Sequence, residues 1–266
     1  MASYLEPAIE IAREAGALLS RYFERRVGYE LKGVNDLVTE ADRASESLVI
    51  DRLKSKFPSH SVVGEETGLH DGSSEYRWYV DPLDGTTNFA HGFPVYNVTL
   101  ALAKDDEVIA GVILDPTRDE LFSVEKGGGA FLNQHRIHVS KAAALKESLT
   151  ATGFPGRRPT PNFNLHFMHQ VAMQTQGVRR PGAAALDLAY VACGRIDAFW
   201  EFGLNPWDMA AGTLLVAEAG GKVTDMHGQT FRLKGEHVLA DNALIHDEII
   251  GLFGEVFRGE MRVPLP

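Results

Sequence analysis

The sequence predicts a layered α/β fold in a chain of 266 residues. Two patterns support this prediction. In the second half, short apolar runs alternate with amphipathic stretches, which is typical of helices packed on a sheet. In the first half, strand-like runs at 97–103, 108–114 and 121–125 follow one another with no helix between them. The first half is therefore expected to form a mixed or antiparallel sheet.

The composition is that of an ordinary globular protein and excludes several classes. Hydrophobic residues make up 44% and charged residues 23% of the chain. The formal net charge of −10 argues against non-specific binding of nucleic acid. No apolar run approaches the roughly 20 residues that span a bilayer, and the N-terminus lacks a signal-peptide pattern. With Cys193 as the single cysteine, these features predict a cytoplasmic protein.

The early elements follow from periodicity and capping signals. Residues 4–24 have the apolar spacing of an amphipathic helix, with Ser3 and Glu6 placed as a capping box. Residues 32–35 are predicted to be a loop. A second helix is expected over 39–57 from its apolar spacing, and Pro58 is expected to end it. A short strand at 62–63 comes next.

The later elements alternate. A turn is predicted at 127–129, before a further strand, and the Pro-rich segment 155–161 is the predicted boundary between two halves of one domain, 1–154 and 155–266. Strands are predicted at 148–152, 177–179, 196–202, 222–225 and 238–240, and helices at 164–174, 183–193, 206–219 and 246–257.

The stretch 78–88 carries the strongest chemical signal. An apolar strand, 78–80, is expected to end on Asp81, because Pro82 cannot donate to a strand ladder. Asp84 follows three residues later, then Gly85 permits a tight turn and 86–87 are placed to cap a short helix. Two carboxylates on one rigid turn repel each other unless a cation lies between them. Mg²⁺ beside a phosphate is the chemistry this suggests; an acidic solvated turn is the alternative.

Other acidic residues also stand at the ends of predicted elements. Taken singly, each is explained as well by a helix dipole or a solvated turn. The candidates are Asp42, Glu65, Glu66, Glu201 and Asp208.

Read together, these segments resemble the inositol monophosphatase family, particularly its bacterial members. The resemblance rests on 36–42 (DLVTEAD), 64–66 (GEE), 78–89 (WYVDPLDGTTNF) and 207–212 (WDMAAG), and it extends over nearly the whole chain. It implies a five-layer αβαβα sandwich of the inositol monophosphatase and fructose-1,6-bisphosphatase type. It also implies a Mg²⁺-dependent, usually Li⁺-sensitive phosphomonoesterase that forms a homodimer.

The resemblance further implies roles for individual residues. Glu65, Asp81 and the Leu83 carbonyl are expected to bind one Mg²⁺. Asp81, Asp84 and Asp208 are expected to bind a second, and Glu65 to help hold a third. Asp42 and Thr86 are expected to orient and activate the attacking water. The amides of Gly85 and Thr86 would receive the phosphate, and Gly182, Ala184 and Glu201 would line the alcohol side of the substrate.

The substrate stays open among small phosphate esters. Family members hydrolyse myo-inositol monophosphate, fructose 1,6-bisphosphate, histidinol phosphate or 3′-phosphoadenosine nucleotides. Glu201 favours an inositol phosphate, whereas Pro181 and Ala183 stand where a small hydroxyl residue is common. The pair Arg179 and Arg180 either contacts an anionic substrate or lies in an exposed loop.

Two other functional classes are retained. Some bacterial relatives are protein-binding factors of transcription complexes, and the acidic charge suits a basic partner. A two-carboxylate glycosidase would instead work without metal. The sequence offers no competing site elsewhere: Cys193 and several histidines and aspartates are expected to be structural, namely His91, His135, His138, His166, Asp187, Asp197 and Asp225.

Overall fold

The computed structural model describes residues 4–25, 28–33, 36–154 and 162–264. Their helices are α1 Leu5–Arg25, α2 Glu40–Lys56, α3 Thr86–Ala90, α4 Asn164–Ala172, α5 Ala184–Ala192, α6 Pro206–Glu218 and α7 His246–Phe257. The strands of the first half are β1 Tyr29–Gly33, β2 Asp36–Thr39, β3 Ser61–Gly64, β4 Gly68–His70, β5 Tyr76–Asp84, β6 Asn97–Lys104, β7 Glu107–Asp115, β8 Glu120–Glu125, β9 Gly129–Leu132 and β10 His135–Arg136. Those of the second half are β11 Leu149–Thr152, β12 Gly177–Arg179, β13 Ala198–Phe202, β14 Lys222–Thr224 and β15 His237–Asp241.

Two sheets form the body of the protein. The first has eight strands in the order β10-β9-β8-β7-β6-β5-β3-β4, and every neighbouring pair is antiparallel except β3 with β5. The second has five strands in the order β12-β11-β13-β15-β14, parallel among β12, β11 and β13 and antiparallel on either side of β15. The prediction of a mixed first sheet and a layered α/β second half is confirmed.

Helices fill three layers around these sheets. Helices α1 and α2 pack on the outer face of the first sheet. Helices α5 and α6 lie between the two sheets and share their core with both. Helices α4 and α7 cover the far face of the second sheet. The order is αβαβα, as the resemblance implied.

Several local predictions need correction. The hairpin β1–β2 and the edge strand β4 were not predicted, and residues 32–33 belong to β1 instead of a loop. Strand β5 does not end at Asp81: it continues through Pro82 to Asp84, with a register shift between Asp81 and Asp84 that absorbs the missing amide donor. The predicted caps at 86–87 are also wrong, because Gly85 is the N-cap residue of α3.

A few predictions lie outside the described residues: the Ser3 cap, the loop residues 34–35 and the boundary segment 155–161. Within the described part of the chain, no helix combines the length and apolar character needed to cross a bilayer. The division of the domain at residues 154 and 155 stays a prediction.

His60 is a titratable group inside the aromatic packing of the first sheet. Its ring stacks on Phe57 and on Tyr76, with centroids 5.0 Å and 4.8 Å away. Its Nδ1 lies 3.1 Å from Nε1 of Trp78, which donates a hydrogen bond, so this nitrogen must be unprotonated. Burial lowers the pKa of His60, and the nearby Glu75 charge opposes that shift only in part.

We expect His60 to make stability depend on pH. Because its folded pKa lies below the unfolded value near 6.5, the stabilisation is complete above that pH and is lost as the pH falls through the folded pKa. His60→Gln keeps an acceptor for Trp78 but does not titrate. The free energy of unfolding should therefore fall more steeply from pH 7 to pH 5 in the wild type than in H60Q, measured by urea denaturation. H135Q, in the exposed edge strand β10, is the control. Equal slopes for wild type and H60Q would contradict this assignment.

Candidate active site

A cavity of about 160 Å³ opens between the two sheets, where β5, α5, β13 and α6 approach one another. Its described lining includes six carboxylate side chains: Glu65, Asp81, Asp84, Asp187, Glu201 and Asp208. Arg180 is the one cationic side chain among the described residues that line it. The cavity is therefore strongly acidic for its size.

The end of β5 supplies two of these acids. Asp81 is 2% exposed, and its Oδ1 accepts a hydrogen bond of 3.0 Å from the Leu83 amide. Asp84 lies beyond the register shift, and its Oδ2 accepts from Asn97 Nδ2 at 2.8 Å and from the Ala185 amide at 2.9 Å. Because Asn97 begins β6 and Ala185 lies in the first turn of α5, Asp84 joins the first sheet to the central helices.

Gly85 allows the chain to turn directly after Asp84. Its φ of 92° is in the left-handed region, and a Cβ there would lie 2.7 Å from the Val95 carbonyl oxygen. Helix α3 begins at the next residue. Asn88 in this helix donates to the Pro181 carbonyl at 2.9 Å and to the Val95 carbonyl at 2.8 Å. The turn is therefore held against the segment that precedes α5.

Asp42 lies behind the cavity wall instead of lining it. Its Oδ2 accepts from the Thr39 amide at 2.7 Å and from the Thr39 hydroxyl at 2.6 Å, which forms the capping box of α2. Its Oδ1 is 3.0 Å from the Thr86 hydroxyl, which is also 3.0 Å from the Leu83 carbonyl oxygen. Thr86 does line the cavity. Asp42 therefore reaches the cavity through Thr86.

Glu46 supports the turn that carries Glu65. Its side chain is buried, and it accepts from the Glu66 amide at 2.9 Å and from the Thr67 amide at 2.7 Å. The Thr67 hydroxyl donates to it as well. A Cβ on Gly64 would collide with the same carboxylate at 2.7 Å. One buried acid on α2 thus fixes the turn after β3.

On the other side of the cavity, β13 and α6 supply Glu201 and Asp208. Glu201 is 6% exposed and packs directly on Gly153, since a Cβ there would lie 2.1 Å from Glu201 Oε2. Asp208 accepts from the Asn205 amide at 2.7 Å and closes the capping box of α6. Like Asp42, Asp208 closes the capping box of its helix; unlike Asp42, it also lines the cavity.

Burial and mutual repulsion raise the pKa values of this group. Burial is the larger cause for Asp81, whose pKa rises well above its usual value, and the charges of Glu65, Asp84 and Asp208 add to it. Burial raises the pKa of Asp84 to about 6 and that of Asp208 to about 7. For Glu201, burial followed by the charges of Asp208 and Asp84 raises the pKa to about 8.

The donor set suits a hard divalent cation. Carboxylates and a backbone carbonyl are the ligands that Mg²⁺ prefers, and a cation would offset the repulsion that raises these pKa values. Among the residues described, no three His, Cys, Asp or Glu side chains form a ready-made metal-ion site. The chemistry of these ligand atoms fits a metal ion. In this structure one oxygen each of Asp81, Asp84 and Asp208 accepts a hydrogen bond from a backbone amide.

Most of the predicted site residues meet at this cavity. The lining contains Glu65, Asp81, Leu83, Asp84, Gly85, Thr86, Gly182, Ala184, Glu201 and Asp208. Asp42 and Glu66 do not line it. Of the arginine pair, Arg180 lines the cavity and Arg179 is exposed in β12.

Three residues that shape the site were not predicted from the sequence to do so: Asn97, Glu46 and Asp187. Asp187, expected to be structural, lines the cavity. Its signal was an acidic residue within the otherwise apolar helix α5. Asn97 contacts Asp84, which is 13 residues away, and Glu46 contacts the amide of Glu66, which is 20 residues away. A single sequence gives no local sign of such contacts.

A second cavity, of about 770 Å³, lies between β7, α6 and β14. Its walls include Val108, Leu214, Val223 and Phe231, and none of the six carboxylates of the first cavity is among its described lining. Although it is larger, its described acids are only Asp106 and Glu107, and three cationic residues also line it (Lys222, Arg232 and Lys234), so we assign the chemistry to the smaller cavity.

Comparison with known proteins gives a consistent family. The model of the inositol monophosphatase family matches residues 1–257. The chain is 46% identical over 250 residues to the Nus factor SuhB of Pseudomonas aeruginosa, covering 91% of this chain and 92% of that protein. It is 43% identical over 251 residues to the inositol-1-monophosphatase of Mesorhizobium japonicum, covering 92% and 94%.

A solved structure shows the same fold. The crystal structure of the extragenic suppressor protein SuhB from Bartonella henselae superposes with a TM-score of 0.89 at 40% identity. The match covers 93% of this chain and 97% of that one. The five-layer arrangement is thus shared with an experimental structure.

We expect Glu46→Ala to destabilise the protein by about 2–4 kcal/mol, because it leaves the Glu66 and Thr67 amides without their buried acceptor. Glu46→Gln keeps one acceptor oxygen and should cost less. Glu40→Gln, on an exposed turn of the same helix, should change stability by less than about 0.5 kcal/mol. Urea denaturation measures all three. An E46A protein as stable as E40Q would show that the turn does not depend on Glu46.

Proposed function

This chain belongs to the inositol monophosphatase family, and we propose that it is a Mg²⁺-dependent phosphatase whose preferred substrate is myo-inositol monophosphate. Membership of the family supports phosphomonoester hydrolysis in general. The metal, the number of ions and the ester are our proposal. The observation that carries it is the set of carboxylates from β3, β5 and α6 around one small cavity.

We assign Glu65, Asp81, Asp84 and Asp208, with the Leu83 carbonyl, to two or three Mg²⁺ ions. Divalent cations bound there would neutralise phosphate charge and lower the pKa of a water molecule. The uncatalysed hydrolysis of phosphate monoesters is among the slowest reactions known, so most of the catalysis must be electrostatic. In this proposal the clustered carboxylates would hold the cations, and the cations would in turn attract the phosphate.

Thr86 and Asp42 would guide the attacking water. The Thr86 hydroxyl is 3.0 Å from Asp42 Oδ1, so it can donate to Asp42 while its own lone pairs accept from a water in the cavity. Proton movement from water to Thr86 Oγ1, and from Thr86 to Asp42, would make the water a stronger nucleophile. Glu65 would help hold that water molecule from the side opposite Thr86.

The phosphate and the alcohol would bind at opposite ends of the cavity. We assign the phosphate to the amides of Gly85 and Thr86, where Gly85 has no side chain to obstruct it. Gly182, Ala184 and Glu201 would line the alcohol side. Glu201 favours a polyol such as inositol; fructose 1,6-bisphosphate, histidinol phosphate and 3′-phosphoadenosine nucleotides are the alternatives for the same chemistry.

We infer further properties by analogy with the family. The protein would be a Li⁺-sensitive, cytoplasmic homodimer that binds neither membranes nor nucleic acid directly. A second candidate function is binding to a protein partner in transcription, which is favoured by the 46% identity to a Nus factor. Such binding should survive Asp81→Asn, whereas phosphatase activity should not.

The proposed function is tested by phosphate release from a panel of esters. Inositol 1-phosphate, fructose 1,6-bisphosphate, histidinol phosphate and 3′-phosphoadenosine 5′-phosphate are each assayed with Mg²⁺ and with EDTA. We expect release only with Mg²⁺, fastest from inositol 1-phosphate, and none from D81N. Equal release in EDTA would refute the metal dependence, and no release from any ester would favour the partner-binding role.

We expect Asp42→Asn to lower kcat by roughly 10²–10⁴-fold, the usual contribution of a proton acceptor. Mg²⁺ affinity, measured by calorimetry, should change little because Asp42 does not line the cavity. Thr86→Ala should have a similar effect, and the double variant should be hardly worse than either single one. Glu40→Gln is the control on the same helix. A D42N enzyme with normal turnover, or with lost Mg²⁺ affinity, would contradict this role.

A further inference from the structure

Asp187 is a buried carboxylate that lines the acidic cavity, and one of its oxygens has no described hydrogen-bond partner. Its side chain is 1% exposed, and no described residue forms a hydrogen bond with its Oδ1. Its backbone is ordinary helix, since its amide donates to the Ala183 carbonyl at 3.1 Å. The side chain is therefore held at the cavity wall by α5, but no described residue satisfies its Oδ1.

This arrangement is unfavourable for folding. A buried polar atom without a partner loses its hydration and gains nothing in return. The charges of Glu201 and Asp84 add to the effect of burial in raising the pKa of Asp187, and Arg180 offsets only part of this. Replacing such a group is neutral or stabilising in many proteins. Asp187 thus weakens the fold unless a ligand uses it.

The position of Asp187 identifies the part of the cavity that such a ligand would occupy. Glu201, whose charge acts on Asp187, lies on the side assigned to the alcohol. The neighbouring lining residues Gly182, Ala183 and Ala184 have no side-chain donor to offer. The phosphate is assigned to the opposite end, at the amides of Gly85 and Thr86. The lining atom without a described partner, Asp187 Oδ1, is a hydrogen-bond acceptor, so the complementary ligand group is a donor, which the polyol proposed above supplies as a hydroxyl.

We propose that Asp187 is a specificity-determining residue that accepts a hydrogen bond from a hydroxyl of the substrate's alcohol. Together with Glu201 it would make the site select phosphate esters of polyols over esters of alcohols that carry no further hydroxyl. This inference rests on the proposed function, because it assigns a role at the same site. A site built to hydrogen-bond a hydroxyl discriminates strongly against ligands that lack one, since its buried acceptor is then left unpaired.

The test compares two esters in Asp187→Ala and Asp187→Asn. Inositol 1-phosphate carries hydroxyls and p-nitrophenyl phosphate does not. D187A should lower kcat/KM for inositol 1-phosphate on the order of ten- to a hundredfold, the value of a hydrogen bond to a charged group. It should leave kcat/KM for p-nitrophenyl phosphate nearly unchanged. D187N keeps an acceptor oxygen and should restore much of the activity on inositol 1-phosphate.

Stability provides a readout that needs no turnover. In EDTA, D187N should raise the melting temperature because it removes a buried acid that the charges of Glu201 and Asp84 disfavour. The matched control is Asp197→Asn: Asp197 is also buried, but it accepts from the Leu149 amide at 2.6 Å and from the Ser140 hydroxyl. D197N should therefore lower the melting temperature. A lower melting temperature for D187N would show that Asp187 is structural.

The outcomes separate this inference from the proposed function. Equal loss on both esters, or loss on neither, would overturn the role of Asp187 while leaving the phosphatase intact. If the wild type hydrolyses no ester, the decisive measurement is the thermal shift caused by inositol 1-phosphate with Mg²⁺. A shift in the wild type that is absent in D187A would support the hydroxyl contact although catalysis had failed. No shift in either protein would reject both.

Discussion

Repulsion between carboxylates is the constraint on which this structure depends. Six acidic side chains share a cavity of about 160 Å³ with a single described guanidinium. Six carboxylates free in water would move apart. Here they belong to elements that pack firmly in the two sheets and in the helices between them. The fold supplies the energy that keeps them together. Burial raises the pKa values of Asp84, Glu201 and Asp208, and neighbouring carboxylates raise those of Glu201 and Asp208 further.

The backbone contributes as much as the side chains. Asp42 and Asp208 close the capping boxes of α2 and α6, so the two helix starts that support the site depend on the same acids. Asp84 accepts from Asn97 of β6 and from the first turn of α5, across the boundary between the first sheet and the central helices. A change at any of these acids therefore affects both the chemistry and the local structure. This is why matched controls elsewhere on the same helix are needed.

The helices and strands that could be predicted from the sequence are those set by local patterns such as apolar periodicity. The helix over 39–57 was predicted from periodicity and ends within one residue of α2, and the alternation of the second half reproduced its helices and strands. Local rules failed where distant contacts decide the outcome. Pro82 stays within β5 because the register shift against β6 accommodates it, and the edge strand β4 exists only because β3 pairs with it.

The residues of the site show the same difference between local signals, which are visible in the sequence, and distant contacts, which are not. The motif segments identified the acids at the ends of elements. Which of these acids line the cavity, and which act through another residue, depends on how the elements pack. Asp42 stands behind Thr86, and Glu46 fixes the turn of Glu65, through side-chain contacts between separate elements. Asp187 was expected to be structural, and an acid in the first turn of a helix does have an ordinary explanation. That its Oδ1 has no partner among the described residues is visible only in the folded protein.

The central claim is that this acidic cavity is built to be neutralised by divalent cations. The most direct measurement is calorimetric titration of Mg²⁺ into EDTA-treated protein, followed by melting of the same samples. The account predicts saturable binding of more than one ion per chain, together with a rise in melting temperature as the repulsion is relieved. Asp81→Asn should weaken both effects. Absence of Mg²⁺ binding and an unchanged melting temperature in the wild type would contradict the account.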